Sequence, residues 1–70
     1  MTYIEYLVGA GRYHHDHLDQ RYGQALFNYL AEVNPALAEK IRGTDNDPFH
    51  KTAHQLTDPL NYIYKNWKGQ

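Results

Sequence analysis

The sequence predicts an all-α fold, a small bundle of four to five short helices around a central helix at about residues 17–33, and three observations predict it. Leu18, Tyr22, Leu26, Tyr29, Leu30 and Val33 follow at steps of four, four, three, one and three, a stripe about 100° wide on an α-helix. Asn34-Pro35, Asp47-Pro48 and Asp58-Pro59 each join a capping residue to a proline, which at a first helical position has no amide to waste. No stretch alternates apolar and polar residues with the period of two that a half-buried strand needs. The 70 residues read as one helical domain, without repeats, low-complexity tracts or a linker.

The elements follow in order. Thr2-Tyr3-Ile4-Glu5 has the form of a capping box, in which the hydroxyl and the carboxylate each reach the other residue's backbone amide. The first helix is expected to be short and to stop at Gly9 and Gly11, with Tyr3, Tyr6 or Ile4, and Leu7 buried. His14-His15-Asp16-His17 then reads as a polar connector, with Asp16 capping the central helix. Gly23 interrupts that helix at a cost of about 1 kcal/mol relative to Ala, which predicts a neighbouring helix close to the backbone there. Beyond Val33 the junctions divide the chain into helices at about 35–42, 48–56 and 59–67. Gly43 closes the first of these, and Thr44-Asp45-Asn46-Asp47 forms a turn. The last helix is expected to dock Trp67 on the central one.

Composition limits what the chain can do. A chain this short buries only about 60% of the surface it exposes when unfolded, and without cysteine it has neither a disulfide staple nor a thiolate metal site. Seven Lys and Arg against eight Asp and Glu give a net charge of -1, with no basic run to grip duplex phosphates. The N-terminus lacks a signal peptide's basic start and apolar core, and no segment approaches the roughly 20 apolar residues of a membrane span. A soluble, cytoplasmic protein is expected.

Arg21-x-Gly23-Gln24-Ala25-Leu26-Phe27-Asn28-x-Leu30, Pro35-x-Leu37-Ala38 and Ile41-Arg42-Gly43-Thr44-x-x-Asp47-Pro48-Phe49 together resemble a pattern in short, uncharacterised helical proteins encoded by tailed bacteriophages and prophages. The resemblance implies a phage accessory protein acting in a bacterial host, and it brings no activity and no catalytic residues with it. The N-terminal histidines lie outside the matching part.

Histidine is the sharpest chemical signal. His50 and His54 stand four apart on an expected helix, so both imidazoles would share one face, with His14, His15, Asp16 and His17 available to complete a tetrahedral site. The opposing reading is a set of surface histidines, since no Glu follows His50 to give the metalloprotease pattern. We expect no functional metal and no cofactor, with His14, His17, His50 and His54 as the candidates if one binds. Catalysis would need polar groups converging in a pocket, which 70 residues of short helices rarely enclose. Asp45, Asp47 and Asp58 are better explained as turn and cap residues. A helix-turn-helix reading of the central helix, Asn34-Pro35 and the next helix has Lys40 and Arg42 facing phosphates, but Glu32 and Glu39 lie close by and proline opens the supposed recognition helix.

What remains is a surface. Arg21, Gln24 and Asn28 fall on the polar side of the central helix, where they either meet solvent, bond the turn at 43–47 or form a recognition face. Arg42 is expected to pair with Asp45 or Asp47. Ten aromatic residues exceed what so small a core easily hides, leaving Tyr3, Tyr6, Tyr13, Tyr62 and Tyr64 as the surplus, and tyrosine and arginine dominate the energetic centres of interfaces. The expected function is therefore that of a small, non-enzymatic phage protein that binds a bacterial host protein for host takeover or counter-defence. Arg21, Gln24, Asn28, Arg42, Tyr62 and Tyr64 are its candidate interaction residues, and a homodimer is a further expectation. The alternatives are a nucleic-acid-binding accessory factor and a histidine-based metal-binding protein.

Overall fold

A computed structural model describes residues 1–67. It contains four α-helices, α1 (Tyr3–Asp16), α2 (Tyr22–Val33), α3 (Pro35–Ile41) and α4 (Thr57–Lys65), and a single 3-10 turn at Ala53–Gln55. No strand occurs among the described residues. The Cα radius of gyration is 10.8 Å, close to the roughly 11 Å of a compact domain of this length, so the helices form one packed bundle.

The capping box starts α1 as its residues require: Thr2 Oγ1 accepts from Glu5 N at 3.1 Å and Glu5 Oε1 from Thr2 N at 2.7 Å. The helix does not stop at the glycines. It continues to Asp16 and makes α1 the longest element, because burying Tyr6 and Ala10 against the bundle outweighs a glycine penalty of about 1 kcal/mol per residue. Gly9 is needed there, since a Cβ at that position would fall onto the Tyr29 ring of α2.

The His14–His17 stretch is accordingly the last turn of α1 rather than a connector, and Asp16 ends this helix instead of capping the next. His17 Nδ1 donates to the Tyr13 carbonyl at 2.7 Å, and His14 Nε2 to the Gln20 carbonyl at 3.0 Å. Those bonds hold residues 17–20 in a turn, so α2 begins at Tyr22 instead of residue 17. Its cap comes from an unexpected quarter: Gln24 Oε1 accepts from Arg21 N at 2.9 Å. Leu18 is consequently left outside the helix and 74% exposed. Of the expected stripe, Leu26 and Leu30 are fully buried, Tyr29 and Val33 half-buried, and Tyr22 exposed. Ala25 and Phe27 are buried as well, so α2 is covered on more than one side.

Asn34-Pro35 behaves as its chemistry predicts. Asn34 Oδ1 accepts from Leu37 N at 3.3 Å, Pro35 opens α3, and Leu37, Ala38 and Ile41 enter the core. Gly43 closes the helix in the left-handed region at φ 73°, where a side chain is strained. Asp47-Pro48 does not start a helix over 48–56. Both oxygens of Asp47 are taken by the turn, Oδ2 by Gly43 N at 2.8 Å and Oδ1 by Phe49 N at 2.9 Å. Thr52 then runs extended at φ -83°, ψ 170°, leaving only one 3-10 turn. The close neighbour that Gly23 signals is this loop and not a helix: a Cβ on Gly23 would strike the Pro48 carbonyl.

Helix α4 begins two residues earlier than expected, with Asp58 inside its first turn and Leu56 at the cap. Pro59 still falls where an amide has no intrahelical acceptor. Ile63 is fully buried. Trp67 packs on the core cluster that Tyr6 of α1 and Leu26 and Leu30 of α2 share: its ring stacks on Tyr6 with centroids 5.2 Å apart, and Nε1 donates to the Met1 carbonyl at 2.8 Å.

Candidate functional site

The aromatic residues decide where a site can lie. Most of the expected surplus is absorbed between helices. Tyr64, Tyr3, Tyr6, Tyr29 and Tyr13 form a continuous seam, with successive centroids 5.1, 6.2, 6.0 and 5.9 Å apart, and His17 ends it, stacked on Tyr13 at 4.0 Å. Offset and tilted ring pairs of this kind add about 0.5–1.5 kcal/mol each beyond their burial. Tyr6 is therefore core, not surface: it is fully buried and its hydroxyl donates to the Leu26 carbonyl at 2.8 Å. Burial, with smaller effects from the Tyr22 and Tyr3 phenols, pushes its pKa far above the usual tyrosine value. Tyr3, Tyr13 and Tyr62 are half-buried, and the Tyr3 hydroxyl donates to the Leu60 carbonyl at 3.3 Å. Tyr64 alone of the expected five stays mostly in solvent, 63% exposed, with its ring edge-on to Tyr3.

The six candidate interaction residues do not converge. Arg21 and Gln24 form the cap of α2, and Asn28 Nδ2 donates to Gln20 Oε1 at 3.1 Å, so this polar face bonds within its own neighbourhood and not to the turn at 43–47. Arg42 pairs with Glu39, Nε to Oε2 at 3.3 Å, instead of Asp45 or Asp47, and lays its guanidinium 5.1 Å from the Phe27 ring centroid. For Asp47 the reason is competition, since the backbone of its own turn already claims that carboxylate. Since both partners of the Arg42–Glu39 pair are exposed, it contributes about 0–1 kcal/mol. Tyr62 and Tyr64 stand apart on α4. Among the described residues no hydrogen bond or ring contact joins these three groups.

The histidines do not converge either. His50 lies in the loop, its ring edge-on to Phe49 at 4.8 Å, and His54 sits in the 3-10 turn, so the shared helical face is lost. His14 and His17 each bond a backbone carbonyl. Among the described residues no group of three or more His, Cys, Asp or Glu is placed to hold a metal ion.

Among the described residues the surface includes two partly open depressions. One, of about 330 Å³, is lined by Gly43, Thr44, Asp47, His50, Lys51 and Gln55. Its carboxylate accepts from two backbone amides, and the Gln55 carboxamide, whose Oε1 accepts from Thr52 N, is neither an acid nor a base. The other, of about 180 Å³, lies between α3 and the end of α4 against Ala36, Leu37, Lys40 and Asn66. What sequence reasoning missed is the outer side of α1, where Ile4 is 65% and Val8 54% exposed. The signal was present: carried through the glycines, helical periodicity sets residues 4 and 8 opposite Tyr6 and Ala10. No helix among the described residues is long and apolar enough to cross a membrane. Compared with known proteins, the chain matches no family model, no curated protein and no solved structure.

Proposed function

We propose that this chain is a non-enzymatic binding protein that attaches to the surface of another protein and so blocks or redirects it. The observation that carries this reading is Tyr64. Its ring is held against Tyr3 while 63% of the residue remains in solvent, so it loses little conformational freedom on binding and presents a large apolar face. Tyr62, half-buried and two residues earlier on the same helix, points to a different side and is not part of that anchor. The absence of a basic run weighs against nucleic acid as the partner. The resemblance of residues 21–49 to short phage and prophage proteins gives the partner its class, a bacterial host protein, and the role its name, host takeover or counter-defence in the bacterial cytoplasm.

Affinity capture from a bacterial lysate, run in parallel with the native chain and Tyr64→Ser, tests the reading. Recovery of a defined protein with the native chain and its loss with Tyr64→Ser, at unchanged circular dichroism, is the expected result. Recovery of nucleic acid alone, with binding that falls steeply with salt, would overturn it in favour of the accessory-factor alternative.

A further inference from the structure

The outer side of α1 carries a pattern that nothing among the described residues of one copy explains. At 100° per residue Val8 lies at its centre, Ile4 and Gly11 follow one flank, and Glu5 and Arg12 follow the other. All five are exposed. Ile4 and Val8 place two aliphatic side chains in water one helical turn apart. Gly11 is the reverse: a Cβ there would meet nothing within 4 Å, so the glycine costs helix stability without being required by any neighbour. Gly9, two residues earlier, is required by Tyr29, which makes the open space at Gly11 a property of this face alone.

We propose that the outer face of α1 is a self-association surface, on which a second copy of this chain packs antiparallel about a two-fold axis at Val8. In such a pair each flank faces its own counterpart running in the opposite direction. Val8 then meets Val8 at the axis. Ile4 of each copy comes opposite Gly11 of the other, a large side chain against the one position with no side chain. Glu5 of each copy comes opposite Arg12 of the other with a stagger of about one residue, roughly 1.5 Å along the helix. The face is thus complementary to itself in size and in charge. A parallel pair has neither match, because it brings residues of like number to the same level. A single helix-on-helix contact falls at the small end of the range of specific interfaces, under about 1,200 Å², so the dimer is reversible and depends on concentration. It uses α1 and leaves Tyr64 on α4, so this pairing stands or falls separately from the proposed partner.

Sedimentation equilibrium over a concentration series is the test, with circular dichroism as the control for folding. The native chain is expected to pass from monomer to dimer as concentration rises. Gly11→Leu fills the space that Ile4 needs and is expected to weaken dimerisation at least about tenfold. Within one copy a Cβ at this position meets none of the described residues, so helix content stays the same or rises. Arg12→Glu sets carboxylates against each other and is expected to weaken the dimer most at low salt, with partial recovery as salt screens them. A native chain that stays monomeric throughout, or a dimer that Gly11→Leu leaves unchanged, overturns the proposal. So does a response to Gly11→Leu without any to Arg12→Glu, because the antiparallel register would then be wrong.

Discussion

The two sides of α1 are built from the same kinds of residue and meet opposite fates. On the inner side Tyr6 and Ala10 are fully buried and Gly9 lies under the Tyr29 ring. On the outer side Ile4 and Val8 are more than half exposed and Gly11 faces open space. Apolar character alone does not decide which residue is buried, since the exposed Ile4 and Val8 are at least as apolar as the buried Tyr6. What separates the two sides is the shape and hydrogen bonding of the surface that each side meets. The inner side offers ring pairs and a carbonyl for the Tyr6 hydroxyl, whereas the outer side offers no partner among the described residues. A helix side that other elements cover specifies the fold, and one left apolar and uncovered is available for association.

The comparison can be broken at three points, the first at Leu26. This residue is fully buried on α2 and its carbonyl accepts from the Tyr6 hydroxyl, so the inner side of α1 depends on its position. Leu26→Ala is expected to cost about 2–5 kcal/mol through lost transfer energy and the cavity left behind. A cysteine-free chain of this size holds only roughly 3–5 kcal/mol in all. Thermal melting followed by circular dichroism should show the variant largely unfolded near room temperature. A melt like the parent's would mean that the core lies elsewhere.

The second point is the pair of glycines. Gly9→Ala drives a methyl into the Tyr29 ring, and overpacking of this kind costs about 1–3 kcal/mol, offset in part by the better helix propensity of alanine. Gly11→Ala meets no atom and is expected to stabilise the monomer by about 0.5–1 kcal/mol. Urea melts at a concentration low enough to keep the chain monomeric measure both. Shifts of the same sign would remove the distinction between the two sides of the helix.

The third is Tyr6→Phe, which removes the bond to the Leu26 carbonyl and should cost about 0.5–1.5 kcal/mol. It also carries a pH signature. The folded pKa of Tyr6 is raised above its usual value of 10.0, so its contribution is fully present below about pH 10 and is lost as the pH rises beyond that, where the unfolded chain gives up the proton that the folded chain retains. Tyr3 is shifted in the same direction, chiefly by burial. Stability measured between neutral pH and pH 11 should therefore fall more steeply for the parent than for Tyr6→Phe. Equal slopes would show that Tyr6 does not set the alkaline limit.

The local devices were legible wherever a residue acts on its own backbone. Thr2 with Glu5, Asn34 with Pro35, Gly43 and the turn that follows it all behave as the sequence implies, because each bond joins atoms at most four residues apart. The central helix was legible through Leu26 and Leu30, whose burial follows from period alone. Of the five tyrosines expected as surplus, Tyr64 is exposed as expected, whereas Tyr6, which helical period also offered for the buried face of α1, is core, because a count of aromatics says nothing about how many can stack on one another.

Sequence by itself determined the all-α class, the caps of α1 and α3 and the apolar centre of α2, since those rest on local hydrogen bonds and helical periodicity. Only the tertiary structure decided that α1 runs through both glycines, that Asp47 holds a loop instead of starting a helix, and that His50 and His54 part company. In each case the deciding atoms belong to distant or competing groups. Tyr29 lies twenty residues from Gly9 in the chain, Pro48 lies beyond α3 from Gly23, and the Gly43 and Phe49 amides each take one oxygen of the Asp47 carboxylate. A propensity of about 1 kcal/mol per residue is outweighed when a contact of that kind buries a tyrosine ring or satisfies two amides at once.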